Sequence, residues 1–157
     1  MKHVDIYTDG ACRGNPGEGA WAAILVYNGV EKRISGYSEN TTNNKMEVTS
    51  IIEALYSMKQ NCDITVYTDS RYVVDTFQKG WMSTWIANGW KTASGKPVKN
   101  VELWKKLNSL MRSHEVRFEW VKGHSGHPYN EECDRMANAE IDCAFCGTKN
   151  YISQMFR

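Results

Sequence analysis

The sequence predicts an α/β fold in which a mixed five-stranded sheet is flanked by helices. Three observations carry that expectation. Three strand-like stretches stand in hairpin order at the start, two later ones are each reached through a helix-periodic segment, and no repeat, low-complexity tract or long linker divides the 157 residues.

Taken in order, residues 4–8 alternate apolar and polar as a strand does, and residues 20–27 and 32–38 read as two more, joined through Asn28-Gly29. The first helix signal covers 46–58, where Val48, Ile51, Ile52 and Leu55 recur at helical spacing and line one face. A strand follows at 64–68, then a short helix at 70–78 and a tryptophan-rich stretch that reads as irregular or broken helix. Residues 101–111 form a helix with Trp104, Leu107 and Met111 on one side, and 116–121 alternate as a fifth strand. Residues 128–145 close the fold as a helix with Cys133, Met136, Ala137, Ile141 and Ala144 inward. One domain over 1–145 and a C-terminal tail over 146–157 are expected.

Composition narrows the class: 41% hydrophobic and 24% charged residues exclude a disordered chain, a coiled coil and a collagen-like rod. No run approaches the roughly 20 apolar residues of a membrane span, and residues 1–8 carry no basic leader with an apolar stretch after it, so a soluble cytoplasmic protein is expected; it is also read as a monomer. Five cysteines, Cys12, Cys62, Cys133, Cys143 and Cys146, are an odd number at irregular spacing, which fits reduced thiols. Cys143 and Cys146 have a zinc-like spacing, but without a second pair they read as thiols at a helix end.

Net charge is only +1, yet its distribution is uneven. Between 79 and 106 six lysines (Lys79, Lys91, Lys96, Lys99, Lys105, Lys106) face one acid, Glu102, a local +5 that leaves −4 elsewhere. The same window holds Trp81, Trp85, Trp90 and Trp104. Two readings stand side by side: basic groups interleaved with flat rings for a nucleic-acid strand, or a lysine-coated surface whose tryptophans face the core.

The chemistry centres on carboxylates. Thr8-Asp9-Gly10 and Thr68-Asp69-Ser70 repeat one signature, an apolar strand, a threonine, then an acid at the exit. A strand reached through a helix usually runs parallel to its partner, which would put Asp9 and Asp69 side by side where open α/β sheets bind ligands. Two adjacent carboxylates raise each other's pKa unless a cation lies between them, and a hard divalent ion such as Mg²⁺ suits such oxygen ligands. Singly, Asp9-Gly10 also fits a hairpin turn, Asp69 a helix N-cap and Glu47 the acid of a capping box begun at Asn44. His124 lies between Gly123 and Gly126 in a loop straight after a strand, a poor core position and a good one for a proton shuttle. Asp134 stands two turns into the helix that follows.

Together, strand-Thr-Asp-Gly, Thr41-Thr42-Asn43-Asn44-Lys45-Met46-Glu47, Tyr67-Thr68-Asp69-Ser70, Gly123-His124-Ser125-Gly126, and Asn130-Glu131 through to Asp134 resemble type 1 ribonuclease H of the bacterial kind over nearly the whole chain. The resemblance implies the ribonuclease H-like fold and an endonuclease that cuts the RNA strand of an RNA/DNA hybrid duplex without sequence preference. Asp9, Glu47, Asp69 and Asp134 match the family carboxylates that hold two Mg²⁺ ions, with Mn²⁺ a substitute and Asp9 bridging both. One ion would activate water and the other stabilise the leaving oxygen, giving 5′-phosphate and 3′-hydroxyl ends. His124 matches the loop histidine that assists proton movement or product release. Minor-groove contacts fall by resemblance on Cys12, Asn15, Asn43, Asn44, Arg71 and Tyr72, with a small buried thiol the other reading of Cys12. A DNA-strand phosphate pocket falls on Thr42 and Asn100, with Trp81 against the adjacent sugar, and window 79–106 corresponds to the family's basic protrusion.

Two departures stand out. No lysine or arginine lies between Gly80 and Lys91, which lowers the expected hybrid affinity and its salt slope, and Asn40 stands where an arginine is usual beside the threonines. Arg71, beside the minor groove, could partly compensate. A hybrid-binding module without catalysis would share the fold, but the full set of carboxylates and His124 argues against it. A strand-transfer enzyme of related fold would need DNA-binding regions for which the chain has no room.

Overall fold

The computed structural model describes residues 1–123 and 126–145; His124 and the segment 146–157 lie outside the described residues. Five strands form one sheet in the order β3-β2-β1-β4-β5. β1 (Lys2–Arg13), β2 (Gly17–Tyr27) and β3 (Val30–Thr41) make an antiparallel meander, and β4 (Cys62–Thr68) and β5 (Glu115–Trp120) add in parallel beyond β1. This is the expected mixed sheet. The β2–β3 turn is Asn28-Gly29, both residues at positive φ (50° and 77°), the backbone that a tight two-residue hairpin needs.

Strand alternation divides the apolar residues between two helical layers. Val4 and Ile6 of β1, Ala23 and Leu25 of β2, and Ile64 and Val66 of β4 meet α1 (Asn43–Tyr56) through Val48, Ile51, Ile52 and Leu55. α2 (Arg71–Gln78), α3 (Trp81–Ala87) and α4 (Val101–Met111) extend the same layer, with Trp104 and Leu107 fully buried. On the opposite face Ala20, Ala22 and Ile24 receive Cys133, Ala137 and Ile141 of α5 (Pro128–Phe145). Among the described residues no helix is long and apolar enough to cross a membrane.

The tryptophan window divides between its two readings. Trp104 is in the core, its indole N–H donating to the Tyr72 hydroxyl at 2.9 Å, and Trp85 and Trp90 pack half-buried against that core. Trp81 alone of the four is substantially exposed, at 38%, and the ammonium of Lys79 stands 5.7 Å from its ring. All six lysines of the window are exposed, so the basic surface is real while most of its aromatic mass is core.

Three local alternatives are overturned. β1 does not turn at Asp9-Gly10 but runs on to Arg13, with Gly10 paired to Trp21. The N-cap of α2 is Ser70, whose hydroxyl accepts from Val73 N at 3.2 Å, so Asp69 is left outside the cap. The N-cap of α1 is Thr42, whose hydroxyl accepts from Lys45 N at 3.2 Å. Helix α1 therefore starts earlier than the expected 46–58, and Glu47, in its second turn, is not a capping-box acid.

Candidate active site

The β1–β4 ladder ends at Tyr7 opposite Tyr67, and carrying the parallel register two residues further brings Asp9 level with Asp69. β1 stays paired to β2 beyond that point, so Asp9 is held by a strand on one side and faces the open end of β4 on the other. Glu47 arrives from α1, which crosses β1 at Gly10 so closely that an added Cβ there would lie 2.6 Å from Glu47 N and 2.8 Å from Met46 Cβ. A glycine is required at that crossing for steric reasons.

Asp9, Glu47 and Asp69 each offer a carboxylate oxygen, and the three lie within 4.8 Å of one another. Asp134 of α5 lines the same pocket, a cleft of about 360 Å³ that also takes in Asn43, Asn44, Arg71 and Tyr72. Asp9 and Glu47 are buried. Burial, then the charges of Asp69 and Asp134, push the Asp9 carboxyl up from its ordinary value, against the pull of the Gly10 N–H donating to Oδ1 at 2.9 Å. Glu47 is pushed well up, first by burial and then by the charges of Asp9 and Asp69. Buried polar atoms are almost always hydrogen-bonded, yet Glu47 Oε2 has no partner. Clustered hard oxygens, mutual repulsion and an orphaned buried carboxylate oxygen all fit a divalent cation, which would supply the missing charge.

The loop after β5 closes against this group: a Cβ on Gly123 would meet Asp69 Oδ2 at 2.7 Å. Past the undescribed His124, Gly126 N donates to Glu131 Oε1 at 3.1 Å. Asn138 Nδ2 donates to Asp134 Oδ1 at 3.2 Å, orienting that carboxylate one helical turn back.

The residues expected to contact substrate fall into three places. Asn43, Asn44, Arg71 and Tyr72 line the carboxylate cleft, and Asn15 stands beside them, its Oδ1 accepting from Asn43 N at 3.0 Å. Cys12 is half-buried and its thiol donates to the Thr41 carbonyl at 3.4 Å, tying β1 to the end of β3. Asn100 lines a separate cleft of about 550 Å³ with Asn40 and Lys45, and its amide donates to the Tyr72 hydroxyl at 3.2 Å. The Thr42 side chain caps α1, and its neighbour Thr41 lines that cleft. Trp81 is exposed on α3.

Sequence reasoning missed Trp120 and gave Asn130 a place in the family pattern but no role. The Trp120 indole N–H donates to the Asp69 carbonyl at 3.2 Å, and Arg71 stands 5.1 Å from its ring. Alternation puts Trp120 in phase with the packed Val116 and Phe118, which is a core signal, but Trp120 pairs with Thr68 at the very end of β4 and is 42% exposed. Asn130 lies in a narrow cleft with Asp9, Asp69, Gly123, Glu131 and Asp134, its Oδ1 buried without a partner.

Comparison with known proteins gives a consistent answer. A family model described as RNase H matches residues 1–142. A ribonuclease H of Oleidesulfovibrio alaskensis is 53% identical over 137 residues, covering 87% of this chain and 89% of the relative, and one of Francisella philomiragia subsp. philomiragia is 54% identical over 139 residues, covering 88% and 91%. The crystal structure of LC9-RNase H1, a type 1 RNase H with the type 2 active-site motif, superposes with a TM-score of 0.78 at 31% identity, covering 88% of this chain and 72% of that one. LC11-RNase H1 in complex with RNA/DNA hybrid shares the fold, with a TM-score of 0.69 at 23% identity over 90% of this chain and 99% of that one.

Proposed function

The chain belongs to the ribonuclease H family, and from that premise we propose that it hydrolyses the RNA strand of RNA/DNA hybrids at the cleft of Asp9, Glu47, Asp69 and Asp134, within a catalytic unit spanning residues 1–145. The observation that carries the reading is the trio of carboxylates within 4.8 Å, two of them buried, with Glu47 Oε2 unpartnered. That arrangement is destabilising on its own and makes sense as a site for divalent ions. The four carboxylates would hold two ions, Mg²⁺ with Mn²⁺ as substitute, which when bound activate a water and stabilise the leaving 3′ oxygen in an in-line displacement. Products with 5′-phosphate and 3′-hydroxyl ends follow from that chemistry.

The chain's own residues do the remaining work. Gly10 N fixes one Asp9 oxygen, so the strand and not solvent orients that carboxylate, and Asn138 does the same for Asp134. Asn15, Asn43 and Asn44 present amides beside the cleft, suited to 2′-hydroxyls that exist on only one strand of a hybrid. The exposed lysines of 79–106 and Trp81 offer charge and a flat ring to the DNA strand. His124, which lies outside the described residues, is assigned to proton movement or product release.

The test is cleavage of one end-labelled RNA presented as hybrid, RNA duplex and single strand, with Mg²⁺ and with chelator. Metal-dependent cutting confined to the hybrid supports the reading. Tight hybrid binding without any cutting would replace it with a binding module of the same fold.

A further inference from the structure

Arg71 is the one cation among the described residues that line the carboxylate cleft, against four carboxylates. A phosphodiester entering that field meets like charge, so a cation fixed at the lip has a large effect on its approach. The Arg71 side chain is 56% exposed yet held from two sides, with Nη2 3.2 Å from Asp75 Oδ1 and the guanidinium carbon 5.1 Å from the Trp120 ring. An exposed pair at i,i+4 on a helix is too weak to fix a long side chain by itself. A flat guanidinium over an indole adds a second restraint, and Asp75 leaves most of its five N–H donors unused. Trp120 therefore spends both of its polar contacts on the site: its ring carries Arg71 and its N–H holds the Asp69 carbonyl.

We propose that Trp120 is a positioning residue that holds the Arg71 guanidinium at the lip of the carboxylate cleft, where it takes a phosphate of the bound nucleic-acid strand. The proposal rests on the hybrid-nuclease reading above. Trp120 thereby couples substrate binding, through Arg71, to the placement of Asp69 at the end of β4.

The experiment is anisotropy of a fluorescent RNA/DNA hybrid in EDTA across a salt series, for the wild type, Arg71→Gln, Trp120→Leu, Trp120→Phe and Arg71→Gln/Trp120→Leu. Losing one phosphate contact lowers the slope of log Kd against log salt by about 1. Arg71→Gln should show that loss with several-fold weaker binding, and Trp120→Leu should show it although Arg71 is intact. Trp120→Phe, which keeps a ring face, should restore the wild-type slope, while kcat, measured separately with Mg²⁺, stays lowered through the lost bond to Asp69. The double variant should be no worse in slope than Arg71→Gln. A folded fraction that stays constant across the salt series shifts log Kd without changing its slope, and circular dichroism at each salt verifies that constancy for Trp120→Leu. A wild-type slope in Trp120→Leu, or a further loss in the double variant, would overturn the proposal while leaving the nuclease reading in place. An unchanged slope in Arg71→Gln would assign Arg71 to uncharged groove contacts and overturn it equally. A wild type that neither binds nor cuts the hybrid would overturn the nuclease reading first.

Discussion

Gly10 and Glu47 meet so closely that a Cβ on the glycine would stand 2.6 Å from the glutamate's backbone nitrogen. The contact is between backbones, strand β1 against helix α1, so no side-chain rotation relieves it. It brings the one helix-borne member of the carboxylate trio within reach of the two at the strand ends.

Gly10→Ala should therefore damage fold and site together. Overpacking of this kind costs about 1–3 kcal/mol, read by urea unfolding. Calorimetric titration with Mg²⁺ should show weakened binding even in the folded fraction, because α1 must shift away from Asp9.

Asp9→Asn should abolish cleavage and leave hybrid binding largely intact. Without metal it should also stabilise the chain. Burial and its neighbours raise the Asp9 carboxyl in the folded state, so the folded chain binds more protons than the unfolded one. The charge is then a liability above the unfolded value, and it vanishes as pH falls below it. In EDTA at neutral pH the variant should gain about 2 kcal/mol, or roughly 4–8 °C in Tm. A lower Tm than wild type would contradict the electrostatic account of the cleft.

Added divalent ion should close that gap from the other side. A ligand bound by the folded state alone raises stability with its concentration, so Mg²⁺ should raise the wild-type Tm progressively and Asp9→Asn far less. Scanning calorimetry over a metal series would decide it, and equal shifts in both proteins would place the ion elsewhere.

Trp81→Ala should raise KM on a hybrid more than it lowers kcat. The ring is on the surface of α3, away from the carboxylates, and Lys79 stands over it. Steady-state kinetics at fixed salt separate the two effects, and a fall in kcat alone would remove Trp81 from the DNA strand.

His3 and His114 should titrate in opposite directions from 6.5. Hydrogen bonds to Asp63 and then Asp5 raise His3, so its stabilisation is full below 6.5 and fades as pH rises through its folded value. Burial lowers His114, whose Nδ1 accepts from Cys62 N at 3.1 Å, so its stabilisation is full above 6.5 and is lost as pH falls through its folded value. Histidine NMR titration reads both directly. His114→Gln should flatten the acid side of the Tm profile and His3→Gln the neutral side.

Most elements were legible because they are written in local periodicity. Val48, Ile51, Ile52 and Leu55 mark a helix face wherever they occur, and the alternation of β2 separates Ala23 and Leu25 from Ala22 and Ile24 before any partner is known. Helix ends were less legible. Asn44 and Thr42 are both plausible caps by type, and the choice fell to Thr42 because the preceding strand delivers it in extended conformation with its hydroxyl facing Lys45 N. The tryptophans were illegible for a related reason, since an indole serves a core and a surface equally well and only the neighbouring helices decide, burying Trp104 and leaving Trp81 out.

By itself the sequence determined the strand and helix order, the acids at the two strand exits and the family pattern that joins them to Glu47 and Asp134, since these depend on residue type and short spacing. Only the tertiary structure decided that three of those acids meet within 4.8 Å, that Glu47 is buried with an unpartnered oxygen, and that Trp120 grips Asp69 and Arg71 at once. Those facts arise where separate elements meet, β1 under α1 at Gly10 and the end of β5 beside the end of β4 at Trp120 and Thr68. Distance and desolvation are set there by packing between residues far apart in the chain, which no local pattern encodes.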